Sequence, residues 1–335
     1  MTGVLLRTGG AVLVVLVLAD VVATTLTIGT GAGPLTRRVL GPAWRVLLWL
    51  HRTDSTSAWL STAGTVLLMS TVLLWVALLW GGWTLVYLSD PGAVVDAATG
   101  RAVGALDVLY YTGFTVFTLG VGDVVATTSG WRVLTAVAGF TGLFLVTLAI
   151  TYLLSVVSAV VSRRTVAVQV QALGATATAM VVGGWAGSGF SPAFVQQLTA
   201  LTGQLAAIAE QHLAYPVLHY FHSRRPDSAA PVAIARLDDA LLLLRAAVAP
   251  AARPHASVTE PVHRAVARYL AAAEGTPAVP RGTTAPPVPS PRPLADAGIP
   301  LDDPDGYRRA AAAEADRRRT LRRLVSADGW SWPEA

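Results

Sequence analysis

The short stretch TLGVGD at 118–123 places two glycines and an aspartate between long apolar runs. Gly120 and Gly122 alternate with other residues, and glycine adopts backbone conformations that are closed to residues with a side chain. Such alternation can turn successive carbonyl oxygens to one side of the chain, where they replace the hydration shell of a cation. The spacing therefore predicts cation coordination by backbone oxygens, with Asp123 as a charged group beside them.

The sequence around this stretch has to hold it at membrane depth. Irregular backbone in hydrocarbon persists only where it is buried in protein or lines a water-filled cavity. The apolar stretch at 105–117 precedes it and is too short to cross a bilayer, which takes about 20 residues. We therefore predict a re-entrant half-helix, with Asp107 near its positive N-terminal end and partial negative charge at its C-terminal end.

The composition is that of a membrane protein. The chain has 335 residues, of which 53% are hydrophobic and 13% charged, and its mean hydropathy is +0.53. These values are too apolar for an ordinary soluble domain. No cysteine occurs, which excludes disulfides and thiolate metal sites. The net charge of +5 is modest and predicts no nucleic-acid partner.

The pattern along the chain predicts an all-α membrane protein followed by a helical domain. Membrane-spanning helices are predicted at 1–30, 58–88 and 131–161, with an amphipathic linker at 31–57. A cleaved signal peptide beginning near Arg7 is the alternative for the first of them. A helical domain is predicted at 163–275, a disordered Pro-rich linker at 276–304 and an Arg-rich helix at 305–335.

The arginines predict the orientation of the spans. They lie at 37, 38, 45 and 52 and again at 163 and 164, whereas the loop at 89–104 has more acid than base. Positive charge marks the cytoplasmic side, so the N-terminus is expected outside and the region after Arg163 in the cytoplasm. The absence of lysine and the richness in alanine are typical of GC-rich bacterial genomes. The expected location is therefore a bacterial plasma membrane, with several passes.

TLGVGD resembles the T-V-G-Y-G-D selectivity filter of the potassium-channel pore family. The longer stretch YYTGFTVFTLGVGD at 110–123 looks like that family's pore helix and filter, and 58–161 reproduces its outer helix, pore helix, filter and inner helix. The resemblance implies a homotetrameric, potassium-selective channel, because one loop cannot form a ring of carbonyls. No span carries an arginine at every third position, so a voltage sensor of the usual kind is not predicted.

The resemblance also implies a role for individual residues. Permeant K⁺ would be coordinated by the carbonyls of Thr118, Leu119, Gly120 and Val121 and by the Thr118 hydroxyl. The residues expected to support the filter are Gly122, Asp123, Thr115, Tyr110 and Tyr111. Gly142 lies near the family's hinge glycine, with Gly139 as a second candidate. Val121 stands where the family has an aromatic residue, and Tyr110 and Tyr111 are candidates to fill that space.

Other polar features admit two interpretations each. Asp20 lies in the middle of the first span and is either a carboxyl bonded to a neighbouring helix or part of a proton-linked gate. His212, His219 and His222 are either packed histidines, which could sense cytoplasmic pH, or weak candidates for a metal site. The Arg-rich C-terminal helix either binds anionic lipid or is a solvated charged helix.

Two functions other than conduction stay open. One is a membrane scaffold or sensor with a non-conducting pore fold, and the other is a metal-dependent membrane enzyme centred on the histidines. No resident metal or other cofactor is predicted, no nucleophile–base constellation points to an enzyme, and the ligand of the cytoplasmic domain is left open.

Overall fold

The structure, a computed structural model, describes residues 1–27, 33–38, 42, 58–274 and 284–333. Most of the linker predicted at 31–57 lies outside these residues. Three helices are long and apolar enough to cross a membrane: α1 (Thr2–Leu26), Thr62–Leu88 within α3 (Ala58–Leu88), and α5 (Ser129–Leu173). The short helix α2 covers 34–38. The predicted all-α membrane fold is confirmed, and the last spanning helix runs 12 residues beyond its predicted end at 161.

The chain divides into two compact units. The N-terminal unit comprises 1–40 and 66–155, and the C-terminal unit comprises 41–65 and 156–335. Both α3 and α5 therefore contribute residues to each unit.

In the N-terminal unit, α1 packs closely against α3 through small residues. A Cβ atom added at Gly10 would lie 2.6 Å from the carbonyl oxygen of Gly82. Glycine at both positions lets the two backbones approach, which is how helices associate where no water drives them together. Arg7 Nε also donates to Ser89 Oγ over 3.1 Å.

Between α3 and α5 the chain forms α4 (Ala105–Val116) and a small antiparallel sheet. The strands β1 (Val94–Asp96) and β2 (Val124–Ala126) pair with Val95 opposite Val125. The Ala97 amide also donates to the carbonyl of Asp123 over 2.8 Å. The sheet therefore fixes the chain directly after TLGVGD, and the apolar pattern gave no sign of these strands.

The C-terminal unit is a helical domain with its own apolar core. Its elements after α5 are α6 (Ala177–Gly184), α7 (Pro192–Ala214), α8 (Ala230–Leu242), α9 (Ala256–Glu274), α10 (Arg292–Asp296), α11 (Pro304–Ala313) and α12 (Ala315–Ala327). A single π-helical turn, Leu243–Ala247, follows α8. The core includes Leu198 and Leu205 of α7 and Val262 and Val266 of α9.

The C-terminal part of the chain differs from its prediction. Residues 284–303, expected to be disordered, pack on the domain, with Leu294 and Ile299 buried in its core. Prolines leave carbonyls without nearby amide donors, and here the guanidinium of Arg318 bonds the carbonyls of Pro286 and Pro287 over 3.0 and 2.8 Å. The predicted single helix at 305–335 is two helices, α11 and α12, which meet at Glu314.

Candidate functional site: a re-entrant loop at membrane depth

The helix α4 is capped at its start and held along one side by α3. At its start the Gly104 amide donates to Asp107 Oδ2 over 3.0 Å, as expected for an acid in the first turn. Along its length the Trp80 indole donates to the Leu109 carbonyl over 2.9 Å, and the hydroxyls of Thr84 and Thr112 lie 2.8 Å apart. The polar residues of α3 therefore fix a helix that does not itself cross the membrane.

The segment after α4 has an alternating backbone. Positive φ angles occur at Thr118 (59°), Gly120 (60°) and Gly122 (88°), while Leu119 and Val121 between them do not have one. In an extended strand successive carbonyls point to opposite sides, and reversing the handedness of every second residue turns them to the same side. The start of the segment is fixed because the Leu119 amide donates to the Phe114 carbonyl over 2.7 Å.

This segment is uncovered within a single chain. All residues from 117 to 123 are exposed, and Leu119 and Val121 expose 71% and 56% of their surface. Irregular backbone is stable at membrane depth only against protein or water. The exposed face therefore fits a water-filled axis with further protein around it.

The two predicted supporting tyrosines face different neighbours. Tyr110 interacts with the Asp123 carboxylate at the C-terminal end of the segment. Tyr111 is buried, and its hydroxyl lies 2.5 Å from Thr135 Oγ1 of α5. Behind the segment is a cavity of about 480 Å³, lined partly by Tyr111, Gly120 and Gly122. That Tyr110 and Tyr111 fill the space of the family's aromatic residue stays a prediction.

Arg132 and Thr135 of α5 also line this cavity, and the sequence pattern predicted neither of them as a site residue. The signal available for Arg132 was its position: it is an isolated charge at the start of a long apolar run.

The remaining predicted positions lie where α4 meets α5. A Cβ atom added at Gly142 would lie 2.0 Å from the Val116 carbonyl oxygen, and one at Gly139 would lie 3.5 Å from the Thr115 carbonyl oxygen. The helix α5 continues through both glycines. Close packing thus gives a structural reason for Gly142, whereas its role as a hinge stays a prediction. The buried Thr115 hydroxyl has no hydrogen-bond partner among the described residues.

Asp20 accepts hydrogen bonds from two neighbouring elements. Its carboxylate, fully buried, accepts from the Leu35 amide over 2.8 Å, from Thr36 Oγ1 over 2.6 Å and from the Trp75 indole over 2.9 Å. It therefore caps the start of α2 and ties α1 to α3. This arrangement is the one expected of a carboxyl bonded to a neighbouring helix.

The three histidines do not form one cluster. The rings of His212 and His219 lie 6.2 Å apart, whereas His222 stacks on Trp330 at 5.0 Å. No group of three potential metal-ligating side chains occurs among the described residues. Burial, with Arg163 nearby, lowers the pKa of His219 to about 4 and the pKa of His212 well below its usual value. Both rings are therefore neutral at neutral pH, which disfavours them as sensors there.

The arginines of the C-terminal helix are divided between surface and core. Arg317 and Arg318 pair with Asp238 and Asp239 of α8, and Arg318 is 1% exposed. Arg308 and Arg309 are exposed. Part of the positive charge of the predicted lipid-binding helix is therefore paired inside the domain.

Comparison with known proteins agrees with the pore geometry. The family model described as "Ion channel" matches residues 66–159, which contain most of α3, all of α4 and the alternating segment. Over 331 residues the chain is 30% identical to "Uncharacterized membrane protein YdjJ" of Bacillus subtilis (strain 168), covering 99% of this chain and 94% of the relative. No solved structure matches the chain.

The fold and the matched region define a membrane ion channel with a re-entrant pore domain. The chain belongs to the same family as the Bacillus membrane protein, with a similarity that extends through the C-terminal unit, and its residues 66–159 match the ion-channel family.

Proposed function

We propose that four copies of the chain surround one axis and conduct potassium selectively. The observation that carries this proposal is the alternation of positive φ at Thr118, Gly120 and Gly122 in a segment that is exposed along its whole length. A single chain supplies one row of carbonyls, and full replacement of an ion's hydration shell requires several rows around it.

In this assembly K⁺ is coordinated by the carbonyls of Thr118, Leu119, Gly120 and Val121 and by the Thr118 hydroxyl. Asp123 stands at the outer mouth, where Tyr110 orients its carboxylate. The negative end of the α4 dipole points at the permeation path and stabilises a cation there. Permeation is passive and is not enzymatic.

The proposed location is the plasma membrane of a bacterium. The N-terminus lies outside and the C-terminal unit lies in the cytoplasm, because the arginines at 37 and 38 and at 163 and 164 then share the inner side.

The test is ion flux into liposomes that contain the purified protein. We expect uptake of K⁺ and Rb⁺ but not of Na⁺, and the Gly120→Ala variant should lose the uptake. No atom lies within 4 Å of a Cβ at Gly120 in the chain, so the loss arises from the left-handed backbone, which costs an L-residue roughly 1–2 kcal/mol.

Gly81→Ala is the matched control, because a Cβ atom there also meets nothing within 4 Å and its backbone is helical. Unchanged flux in Gly120→Ala would contradict the pore assignment. A tetrameric wild type with no flux would indicate the non-conducting scaffold instead, and the mass of the detergent complex reports the number of copies.

A further inference from the structure

The C-terminal unit contains a cavity of about 570 Å³ beside the second half of α5. This volume lies within the roughly 300–1,000 Å³ of ordinary small-ligand sites. One wall is apolar and comprises Val157, Val160 and Val161 of α5. The rest of the lining, called here the polar wall, is mostly hydrophilic, so the cavity is amphipathic.

The polar wall carries an excess of positive charge. Four arginines line it, against the single carboxylate of Asp328; they are Arg163, Arg164, Arg224 and Arg225. Arg225 also pairs over 3.6 Å with Asp227, which does not line the cavity. The hydroxyls of Ser223 and Ser228 add neutral groups that can donate hydrogen bonds. The lining is thus suited to an anion.

Arg163 gives a second, independent indication of a ligand. Its side chain is buried, and one of its terminal nitrogens donates to the Leu218 carbonyl. Its Nε is buried and has no hydrogen-bond partner among the described residues. A buried donor without an acceptor is costly, and most so when the group is charged. An anion in the cavity would supply the acceptor.

The buried histidines add no charge to this wall, and the carboxyl of Asp328 is only partly ionised. His212 and His219 are neutral because burial and Arg163 lower the pKa of each. Burial raises the pKa of Asp328 to about 7, although Arg163 acts in the opposite direction. Near neutral pH a fraction of this carboxyl is therefore protonated.

We propose that this cavity binds a phosphate-bearing anion through the guanidinium groups of Arg163, Arg164 and Arg224. The planar fork of arginine donates paired hydrogen bonds to phosphate oxygens. Two sources present this chemistry: the headgroup of an anionic lipid, whose chain would follow the apolar wall, and a soluble phosphate compound.

The test measures thermal unfolding of the full chain in neutral detergent. Phosphatidylglycerol, phosphatidylcholine, inorganic phosphate and pyrophosphate are titrated separately. A bound ligand raises the unfolding midpoint with its concentration. We expect the Arg164→Gln/Arg224→Gln variant to bind about tenfold more weakly, through loss of charge-assisted hydrogen bonds.

The matched control is Arg308→Gln/Arg309→Gln, which removes the same charge from two exposed positions of α11 outside the cavity lining. It should bind as the wild type does. Stabilisation by phosphatidylglycerol alone identifies a lipid headgroup, and stabilisation by pyrophosphate or phosphate identifies a soluble ligand. Either result supports the site when Arg164→Gln/Arg224→Gln weakens binding and the control retains it, and binding retained in both double variants contradicts it.

The proposal is overturned if no phosphate-bearing probe stabilises the protein, or if both double variants lose affinity equally, since that would indicate general charge attraction. Native mass spectrometry of the wild type, counting retained phosphatidylglycerol against phosphatidylcholine, gives a reading that does not depend on the folding of any variant. Neither measurement requires ion conduction, so the outcome is independent of the proposed permeation.

Discussion

The two units of this protein bury carboxylates by different means. In the N-terminal unit, Asp20 is surrounded by neutral donors: two backbone amides, the Thr36 hydroxyl and the Trp75 indole. In the C-terminal unit, Asp238 and Asp239 are each paired with an arginine of α12. Placing a charged arginine side chain at membrane depth costs about 3 kcal/mol. An arginine on a helix outside the bilayer core does not carry this cost. The comparison indicates how the surroundings of each unit determine which partners a buried acid has.

The largest effect is expected from breaking a buried pair in the C-terminal unit. Arg318→Met leaves Asp239 and the carbonyls of Pro286 and Pro287 without their donor. An uncompensated buried charge costs about 3–5 kcal/mol, so the free energy of unfolding of the full chain should fall by that amount. Denaturant unfolding, followed by a probe of the C-terminal unit, measures it.

Arg319→Met is the control for this change, because among the described residues Arg319 forms an ion pair with Asp316 alone, one turn away at the surface. We expect less than about 1 kcal/mol from an exposed pair. The double variant Arg318→Met/Asp239→Leu should recover much of the loss, since no charge is then buried alone. Equal losses in Arg318→Met and Arg319→Met would remove the contrast between the units.

A smaller effect is expected at the neutral network of the N-terminal unit. Asp20→Leu leaves the Leu35 amide, the Thr36 hydroxyl and the Trp75 indole without their acceptor. Each unsatisfied donor costs about 1–3 kcal/mol when it stays buried, and local rearrangement reduces the sum. We expect a lower thermal midpoint in detergent for this variant.

Thr8→Val is the control, because the Thr8 hydroxyl is exposed and, within the described part of the chain, bonds carbonyls of its own helix alone. Its midpoint should stay close to the wild-type value, because surface substitutions usually change the free energy of unfolding by no more than about 0.5 kcal/mol. A midpoint unchanged in Asp20→Leu as well would show that the carboxylate does not hold α1 and α3 together.

The two units also differ in how far the sequence predicts them. The spans and the half-helix follow from apolar length and from the cost of unsatisfied backbone, so the membrane fold could be derived residue by residue. The antiparallel strands could not, because three-residue strands leave too little periodicity to read. In the C-terminal unit, the packing of 284–303 depends on Arg318 reaching proline carbonyls about 30 positions away, and no local pattern contains that information.

The pore segment and the arginine-lined cavity also differ in how far the sequence predicts them. Gly120 and Gly122 are recognisable because their backbone requirement is local. The arginine-lined cavity is assembled from α5, the segment after α7 and the end of α12, so only the fold brings Arg163, Arg224 and Asp328 together.

The smallest effect is expected in the pH dependence of the stability of the C-terminal unit. Burial raises the pKa of Asp328 from 3.8 to about 7, so its contribution to stability is present below pH 3.8 and is lost as the pH rises toward 7. Burial lowers the pKa of His219 from 6.5 to about 4, so its contribution is present above pH 6.5 and is lost as the pH falls toward 4. The slope from Asp328 opposes the slopes from His219 and from His212, whose pKa is also lowered, and these contributions partly cancel between pH 4 and pH 6.5.

Asp328→Asn removes the pH dependence of stability that Asp328 contributes and leaves the one that His219 contributes. Between pH 5 and pH 6 the unfolding free energy of the variant should rise relative to that of the wild type by on the order of 1 kcal/mol. The measurement is the thermal midpoint of both proteins across this range, with Asp316→Asn, at an exposed position of α12, as the control. Parallel curves for Asp328→Asn and the wild type would show that Asp328 is already ionised at pH 5, held so by Arg163. The C-terminal unit would then use arginine for all three of these acids, and its contrast with Asp20 would be sharper still.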